Sequence, residues 1–368
     1  MRYVRLSCFD GFTCTAAACP DTCCAGWEID LDERILAVYA ALGGALGQEV
    51  RSCIAREDGY VFFRCREGRC PFLRDDGLCR LILARDGAQD LLSEVCREHP
   101  RFHEHYGSLR ETALAISCPE AARLLIESGP VELLTETEDP ESPESPKKPE
   151  DEEDGPDRAL LALLLEARAR MLGLVQSPVP IADCLRRLTV EAWKLQARID
   201  NPGLSEKAAE AAWLKAGRPG MEDAAELRPW LMTMLRMEFT DDRLRLRLKA
   251  ALSEAGALRP EFLTECDVQY RNLLVYFLYR YLLRAVWDED AVGKVGLAVR
   301  LTETIALLAE QAAAEEGPEG GKAESRKKAL IGAAVPVSRE TEHSDENLEL
   351  LYDAVWVERF PEEGQAPS

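Results

Sequence analysis

No stretch of this sequence is apolar and uncharged for the roughly 20 residues a membrane-spanning helix needs. A basic stripe is missing too. Lysine and arginine number 45 against 66 acidic residues, a net charge of −21, so a nucleic acid would be repelled. There is no glycine-rich passage from strand to helix, which argues against dinucleotide or P-loop phosphate binding. The alternation of strands and helices that builds a doubly wound sheet is absent as well. The opening Met1-Arg2-Tyr3-Val4-Arg5 lacks the apolar core of a secretory signal, which points to the cytoplasm. Histidine is scarce, with His99, His103 and His105 read as a loop and His343 as part of a polar tail.

Cysteine, by contrast, is abundant and unevenly placed. Of 13 in all, Cys14, Cys19, Cys23 and Cys24 fall in one short loop closed by Gly26-Trp27. Cys70, Cys79, Cys96 and Cys118 follow in the same third of the chain, and only Cys184 and Cys266 lie beyond it. Thiols this dense form either a disulfide scaffold or a metal site. A reducing cytoplasm and an odd total favour metal. Zinc and iron–sulfur clusters both take about four thiolates. The eight thiols from Cys14 to Cys118 are therefore the candidate ligands, for two sites or for one with spares. Adjacent side chains in extended backbone point apart, so Cys23 and Cys24 either face two sites or divide into a ligand and a buried thiol. Cys8, Cys53, Cys65, Cys184 and Cys266 read as small core residues. The Cys-x3-Cys-x2-Cys run of radical enzymes is not formed, because Gly26 stands where its third cysteine would be.

The pattern predicts a mainly α protein. A cysteine-rich metal-binding region with short hairpins, residues 1–134, precedes a helical bundle, residues 158–368. Between them, residues 135–157 hold eleven acidic residues against two lysines, which predicts a disordered linker. Asp32 is placed to cap a helix running to about Ile54, and Asp75-Asp76-Gly77 to turn a hairpin that brings Cys70 and Cys79 together. Apolar spacing predicts helices over Arg158–Val175, along Leu185–Ile199, from Ser205 to Gly217, from Thr240 to Gly256 and over Ala291–Ala314. The most apolar helix, Phe262–Val286, is expected at the centre of the bundle. A polar loop is expected near 317–328. A solvated tail from Ser338 then leads to a helix over Asn347–Val357 capped by Ser344.

The run Phe12-x-Cys14-x4-Cys19-x-Asp21-Thr22-Cys23-Cys24-x-Gly26-Trp27 resembles the opening of the flagellin lysine-N-methylases, part of a wider group of cysteine-cluster proteins thought to chelate iron or zinc. The resemblance continues in Cys70-Pro71-Phe72-Leu73 with Gly77-Leu78-Cys79, in Cys96-x3-Pro100-Arg101 and in Ser117-Cys118-Pro119-Glu120. It returns in the helix from Asn272 to Tyr281 and in Ser338-Arg339-Glu340-x-Glu342-His343-Ser344-x-Glu346-Asn347. The stretch from Arg158 to Glu261 matches only in being helical. His99 stands where an aromatic residue is expected.

The resemblance implies methyl transfer from S-adenosylmethionine to flagellin lysines, with an iron–sulfur cluster rather than zinc in the cysteine head. Such a reaction needs a neutral amine, and carboxylates or aromatic faces around the sulfonium. Carried onto this chain, Tyr276, Tyr279, Glu340 and His343 become the candidate catalytic groups. Tyr270, Asn272, Arg280, Glu342 and Asn347 become the candidate cofactor contacts. The same residues are also what a tyrosine-edged core helix and a solvated tail would show. The alternative is a non-catalytic metal-binding module, structural or redox, in which the centre only staples the head to the bundle. Neither nucleic acid nor membrane is expected as a partner.

Overall fold

The computed structural model describes residues 2–57, 59–84, 89–137, 155–215, 227–253, 264–317 and 323–359. Helix predominates in it. The first third carries β1 (Arg2–Leu6), β2 (Ile29–Asp30), α1 (Glu33–Ala41), α2 (Gly44–Ser52), β3 (Ile54–Glu57) and β4 (Tyr60–Phe63). It continues with α3 (Arg80–Leu83), α4 (Glu94–Glu98), β5 (Arg101–Tyr106), β6 (Leu109–Leu114), α5 (Pro119–Glu127) and β7 (Leu133–Glu136). The described helices of the remainder are α6 (Arg158–Val175), α7 (Ile181–Asp200), α8 (Glu206–Lys215), α9 (Arg228–Met234) and α10 (Asp242–Ser253). After them come α11 (Asp267–Tyr281), α12 (Ala285–Asp288), α13 (Ala291–Glu315), α14 (Ala323–Glu342) and α15 (Asp345–Arg359).

Two sheets form. One has the order β5-β6-β1-β7, with β1 parallel to β6 and the other pairs antiparallel. The other is β2-β4-β3, antiparallel throughout. Two apolar clusters hold the chain. The smaller one gathers Ile35, Tyr39, Val50, Phe63, Phe72 and Leu91 beneath the small sheet. The larger one joins Val4, Leu6, Tyr106, Ile116 and Leu125 to the bundle helices. The boundary between the clusters thus falls inside residues 1–134, because the four-stranded sheet packs on the bundle.

Two hydrogen-bonding side chains bolt α11 to that sheet and its neighbours. Tyr279 Oη donates to Val4 O at 2.7 Å and accepts from Thr112 N at 3.0 Å, tying β1 to β6. Asn272 accepts from Val131 N at 3.0 Å and donates to Leu125 O and Gly129 O, each at 3.0 Å, which satisfies the turn after α5. Beneath them Arg168 of α6 forms a two-pronged pair with Glu111 of β6, at 2.8 and 2.5 Å, with both side chains buried.

Several expected elements differ in detail. The helix begun by Asp32, whose carboxylate accepts from Ile35 N at 2.9 Å, stops at Ala41 and restarts at Gly44, and Ile54 enters β3. Gly47 allows the break, since a Cβ there would lie 1.8 Å from Leu42 O. Arg51 then donates to the freed carbonyls of Tyr39 and Leu42 at 2.7 and 2.8 Å. The turn at Asp75–Gly77 yields only a single Leu73–Cys79 bridge. Its second arm becomes α3, so no regular hairpin forms there. His103 and His105 stand on β5, paired with Thr112 and Arg110, and not in a loop. The centre of the bundle is α13, buried along Ala291–Glu310, with α11 beside it.

Of the polar loop expected near 317–328, residues 318–322 lie outside the described residues, and the chain is helical from Ala323. The expected tail from Ser338 is the last turn of that same helix α14, with Ser338, Arg339, Glu340 and Thr341 buried. The helix runs through Pro336 because Arg247 of α10 donates at 2.7 Å to Gly332 O, the carbonyl that a proline cannot serve. Ser344 does cap the final helix, accepting from Asn347 N at 3.2 Å. Thr135 and Glu136 close β7, while residues 138–154 of the acidic stretch and the ends expected at Gly217 and Gly256 lie outside the described residues. No described helix is long and apolar enough to cross a membrane.

Candidate thiol-rich site

The last turn of α14 is the seat of the cysteine loop. Arg339, with 3% of its side chain exposed, reaches the Thr22 and Ala25 carbonyls at 3.5 Å each and Asp21 Oδ1 at 3.5 Å. These groups bracket Cys23 and Cys24. The guanidinium also lies 4.6 Å over the Trp27 ring. Gly26 makes room for it: its φ is +93°, and a Cβ there would stand 3.3 Å from Arg339 Nη1. Trp27 Nε1 donates to Cys23 O at 2.9 Å. The Gly-Trp pair that closes the loop in sequence thus closes it in space.

Around Trp27 stand His99 at 6.0 Å and His343 at 5.0 Å between ring centroids. His343 shares a hydrogen bond of 2.8 Å with Ser117 Oγ, next to Cys118. Burial pushes the His99 imidazole down to about 4, helped by the Arg339 charge. His343 keeps an exposed edge, yet the protein packed about the ring, then His99, Arg280 and Arg339, also hold it below the ordinary histidine range. Both rings are therefore neutral near pH 7.

The thiols lie in two neighbourhoods. Cys24, Cys70, Cys79 and Cys96 all pack on the smaller apolar cluster, where Cys70 N donates to Cys24 O at 2.9 Å. Cys14 and Cys23 are exposed, and Cys19 and Cys118 are half-buried. Burial pushes the thiols of Cys70 and Cys96 up, to about 12 and about 11, and those of Cys79 and Cys118 in the same direction. Cys24 goes the other way, down to about 7, because the Cys23 thiol donates to it. Among the described residues, which include every cysteine, no three His, Cys, Asp or Glu side chains stand together at the spacing of ligands on one ion. Thiolate is the donor that zinc and iron–sulfur centres take, and of the eight thiols Cys24, Cys70, Cys79 and Cys96 share the small core.

The residues assigned to catalysis and cofactor contact fall in three groups. Tyr279 and Asn272 are structural bolts, as described above. Asn347 is another: it accepts from Glu238 N at 2.9 Å and donates to Glu238 O and Glu340 O at 2.8 and 2.7 Å. Glu340 accepts from Thr240 N and Oγ1 at 2.8 and 2.7 Å, fixing the chain ahead of α10. Tyr270 is buried in the bundle.

Tyr276, Arg280 and Glu342 form the third group, a buried polar cluster behind His343. Tyr276 Oη donates to Glu342 Oε2 at 2.7 Å and accepts from Ile116 N at 3.3 Å. Arg280 Nε stands 3.4 Å from the same carboxylate, and its guanidinium lies 3.5 Å over the Phe102 ring. Burial drives the Glu342 carboxyl up, opposed by the Arg280 charge and by the hydrogen bond from Tyr276. Tyr276 and Arg280 thus converge on Glu342, while Arg280 Nε and Glu342 Oε1 are left without a hydrogen-bond partner. Trp27, Ser117, His99 and Arg339 were given no site role from the sequence. The signal available for Arg339 and Trp27 was their place inside the two matching motifs.

No family model matches the chain, and no solved structure matches it. Curated relatives do. The flagellar biosynthetic protein FliU of Salmonella muenchen is 31% identical over 122 residues, covering 31% of this chain and 71% of FliU. The lysine-N-methylases of Salmonella typhimurium and Salmonella choleraesuis are each 30% identical over 132 residues, covering 34% of this chain. The match spans about a third of the length of those lysine-N-methylases, 32%. With a relative at this identity matched over most of its own length, and with the cysteine loop and the α14 motif in contact in the fold, the chain belongs to the flagellin lysine-N-methylase family.

Proposed function

We propose that this protein is a cytoplasmic methyltransferase that moves a methyl group from S-adenosylmethionine to lysine side chains of a flagellin, and that its N-terminal thiols hold an iron–sulfur centre. The observation that supports it is the match to the lysine-N-methylases. In the reaction the lysine Nζ lone pair forms the new N–C bond. The S–C bond breaks with its electron pair staying on sulfur, and nitrogen loses a proton. The amine must be deprotonated before attack, so the rate should rise with pH until it is neutral.

The chain's own contribution centres on the loop seat. Arg339 and Trp27 fix the segment that carries Cys19, Cys23 and Cys24, and the Ser117–His343 bond fixes Cys118 beside it. A thiolate-bound cluster, when present, supplies redox capacity or a rigid staple at that point. The net charge of −21 favours the approach of a substrate that presents ammonium groups, an encounter effect that salt screens.

The test is mass spectrometry of flagellin incubated with anaerobically prepared, metal-replete protein and isotopically labelled S-adenosylmethionine. Labelled methyl on lysine is the expected result. No transfer and no cofactor binding by metal-replete protein would leave the metal module without catalysis. The structural hydrogen bonds of Asn272, Tyr279 and Glu340 are the observation that favours this second reading.

A further inference from the structure

We propose that the groove between α1 and the outer edge of β3 docks an extended segment of a partner protein, one that carries an apolar residue and a carboxylate on the same face. The segment adds a fourth strand to the small sheet. None of the eight candidate thiols and no residue of α14 lines this groove, so the proposal stands apart from the methyltransferase reading.

β3 ends the sheet β2-β4-β3, and its backbone groups divide between two sides. Arg64 N donates to Cys53 O at 2.9 Å, towards β3, whereas Val61 O accepts from Leu31 N at 2.9 Å on the β2 side. Backbone groups alternate in direction along an antiparallel strand. Val61 and Phe63 of β4 therefore face β2, and Phe62 and Arg64 face β3. The register sets Phe62 opposite Ala55, and sets Phe63 and Val61 opposite Ile54 and Arg56. Ala55 thus spends its amide and carbonyl inside the sheet, while Ile54 and Arg56 turn theirs outwards. No other described strand pairs with β3 on that side. An open edge of this kind is a template for another strand.

The side chains of the same two residues share one face, being two positions apart. With Leu36, Tyr39 and Ala40 of α1 and Arg51 of α2, Ile54 and Arg56 line a groove of about 450 Å³. Leu36 and Ile54 are half-buried there, and Ala40, Arg51 and Arg56 are exposed. A strand paired with Ile54 and Arg56 sends every second side chain into that groove.

Charge selects the occupant. The chain carries a net charge of −21, yet no acidic residue lines this groove, which holds two arginines. The carboxylates close by in sequence are engaged elsewhere, Glu57 by Arg64 and Glu49 by Arg80 at 2.7 Å. Arg51 is anchored through Nη1, which donates to Tyr39 O and Leu42 O at 2.7 and 2.8 Å. The planar fork of arginine suits a carboxylate, and Leu36, Ala40 and Ile54 supply apolar contact. An extended peptide with an apolar residue and an aspartate or glutamate two positions apart satisfies the strand edge, the apolar floor and the arginines together.

The test is selection of a random octapeptide library, displayed on phage, against the full chain, with fluorescence anisotropy of the enriched peptides. Those peptides should carry an apolar residue and a carboxylate two positions apart. Arg56→Glu should weaken their binding about tenfold. Arg56→Pro removes the outward amide at an edge position where proline is tolerated, and should weaken binding about fivefold. Circular dichroism establishes that both variants are folded. Hydrogen exchange on the unaltered protein should slow at the Ile54 and Arg56 amides when peptide is bound, and it decides the matter if a variant does not fold. No enriched peptide, enriched peptides without a carboxylate, binding that survives both variants, or protection elsewhere in the chain would overturn the proposal. Dimers of the unaltered protein that Arg56→Pro abolishes would put a second copy at the edge instead, and would overturn it as well.

Discussion

The guanidinium of Arg339 lies 4.6 Å over the ring of Trp27, so the last turn of a helix near the C-terminus holds the loop that carries the first cysteines. The contact joins two motifs more than three hundred positions apart in the chain. It also gives the buried cation a π face and three oxygen neighbours in place of water.

Arg339→Met should therefore release the loop. Metal content of anaerobically purified protein is expected to fall at least twofold, with helical circular dichroism retained. Arg339→Lys should recover only part of it, since an ammonium cannot reach both carbonyls and the ring together. Unchanged metal content in Arg339→Met would show that the thiols hold their places without the clamp.

Ser117→Ala and His343→Ala each remove one partner of the 2.8 Å bond beside Cys118. The bond contributes on the order of 1 kcal/mol. A double-mutant cycle followed by urea denaturation should give a coupling of that size, and methylation should drop in both single variants. Purely additive effects on stability would mean that the pair does no positioning.

Arg168 and Glu111 form the buried ion pair between α6 and β6. Arg168→Met leaves Glu111 charged and unpaired in a buried place, and should cost about 3–5 kcal/mol of stability. Arg168→Met combined with Glu111→Gln should recover much of that loss. The readout is the urea midpoint at constant slope. A single variant as stable as the unaltered protein would mean that solvent reaches the site.

Acid should loosen the seat of the loop through His99. Its imidazole is pushed from 6.5 down to about 4 in the fold, so the unfolded chain binds the proton more readily. The stability this confers is whole above about pH 6.5 and declines as pH falls towards about 4. His99→Phe keeps a ring beside Trp27 and removes its titration, and should lessen the fall in melting temperature across that window, leaving the share that belongs to His343. An identical pH profile in the variant would assign the acid loss to other groups.

The sequence by itself determined the mainly helical character, the bounds of helices such as Arg158–Val175, the caps at Asp32 and Ser344, and the candidate thiols. Each of these is a local signal: apolar spacing along a helix face, an oxygen two or three residues ahead of a free amide, cysteines crowded into a short run. The family also showed in short runs of residue identity. The fate of polar groups whose partners lie far along the chain was decided only by tertiary structure. Tyr279, Asn272 and Asn347 look free in sequence because their partners are backbone atoms of β1, the turn after α5 and Glu238. Ser338 to Glu342 reads as a solvated tail because its composition is polar. It is buried because Arg339, Glu340 and Glu342 each find a partner on another element, Trp27, Thr240 and Tyr276. A buried polar group is tolerated where a distant partner meets it, and no window of sequence contains both.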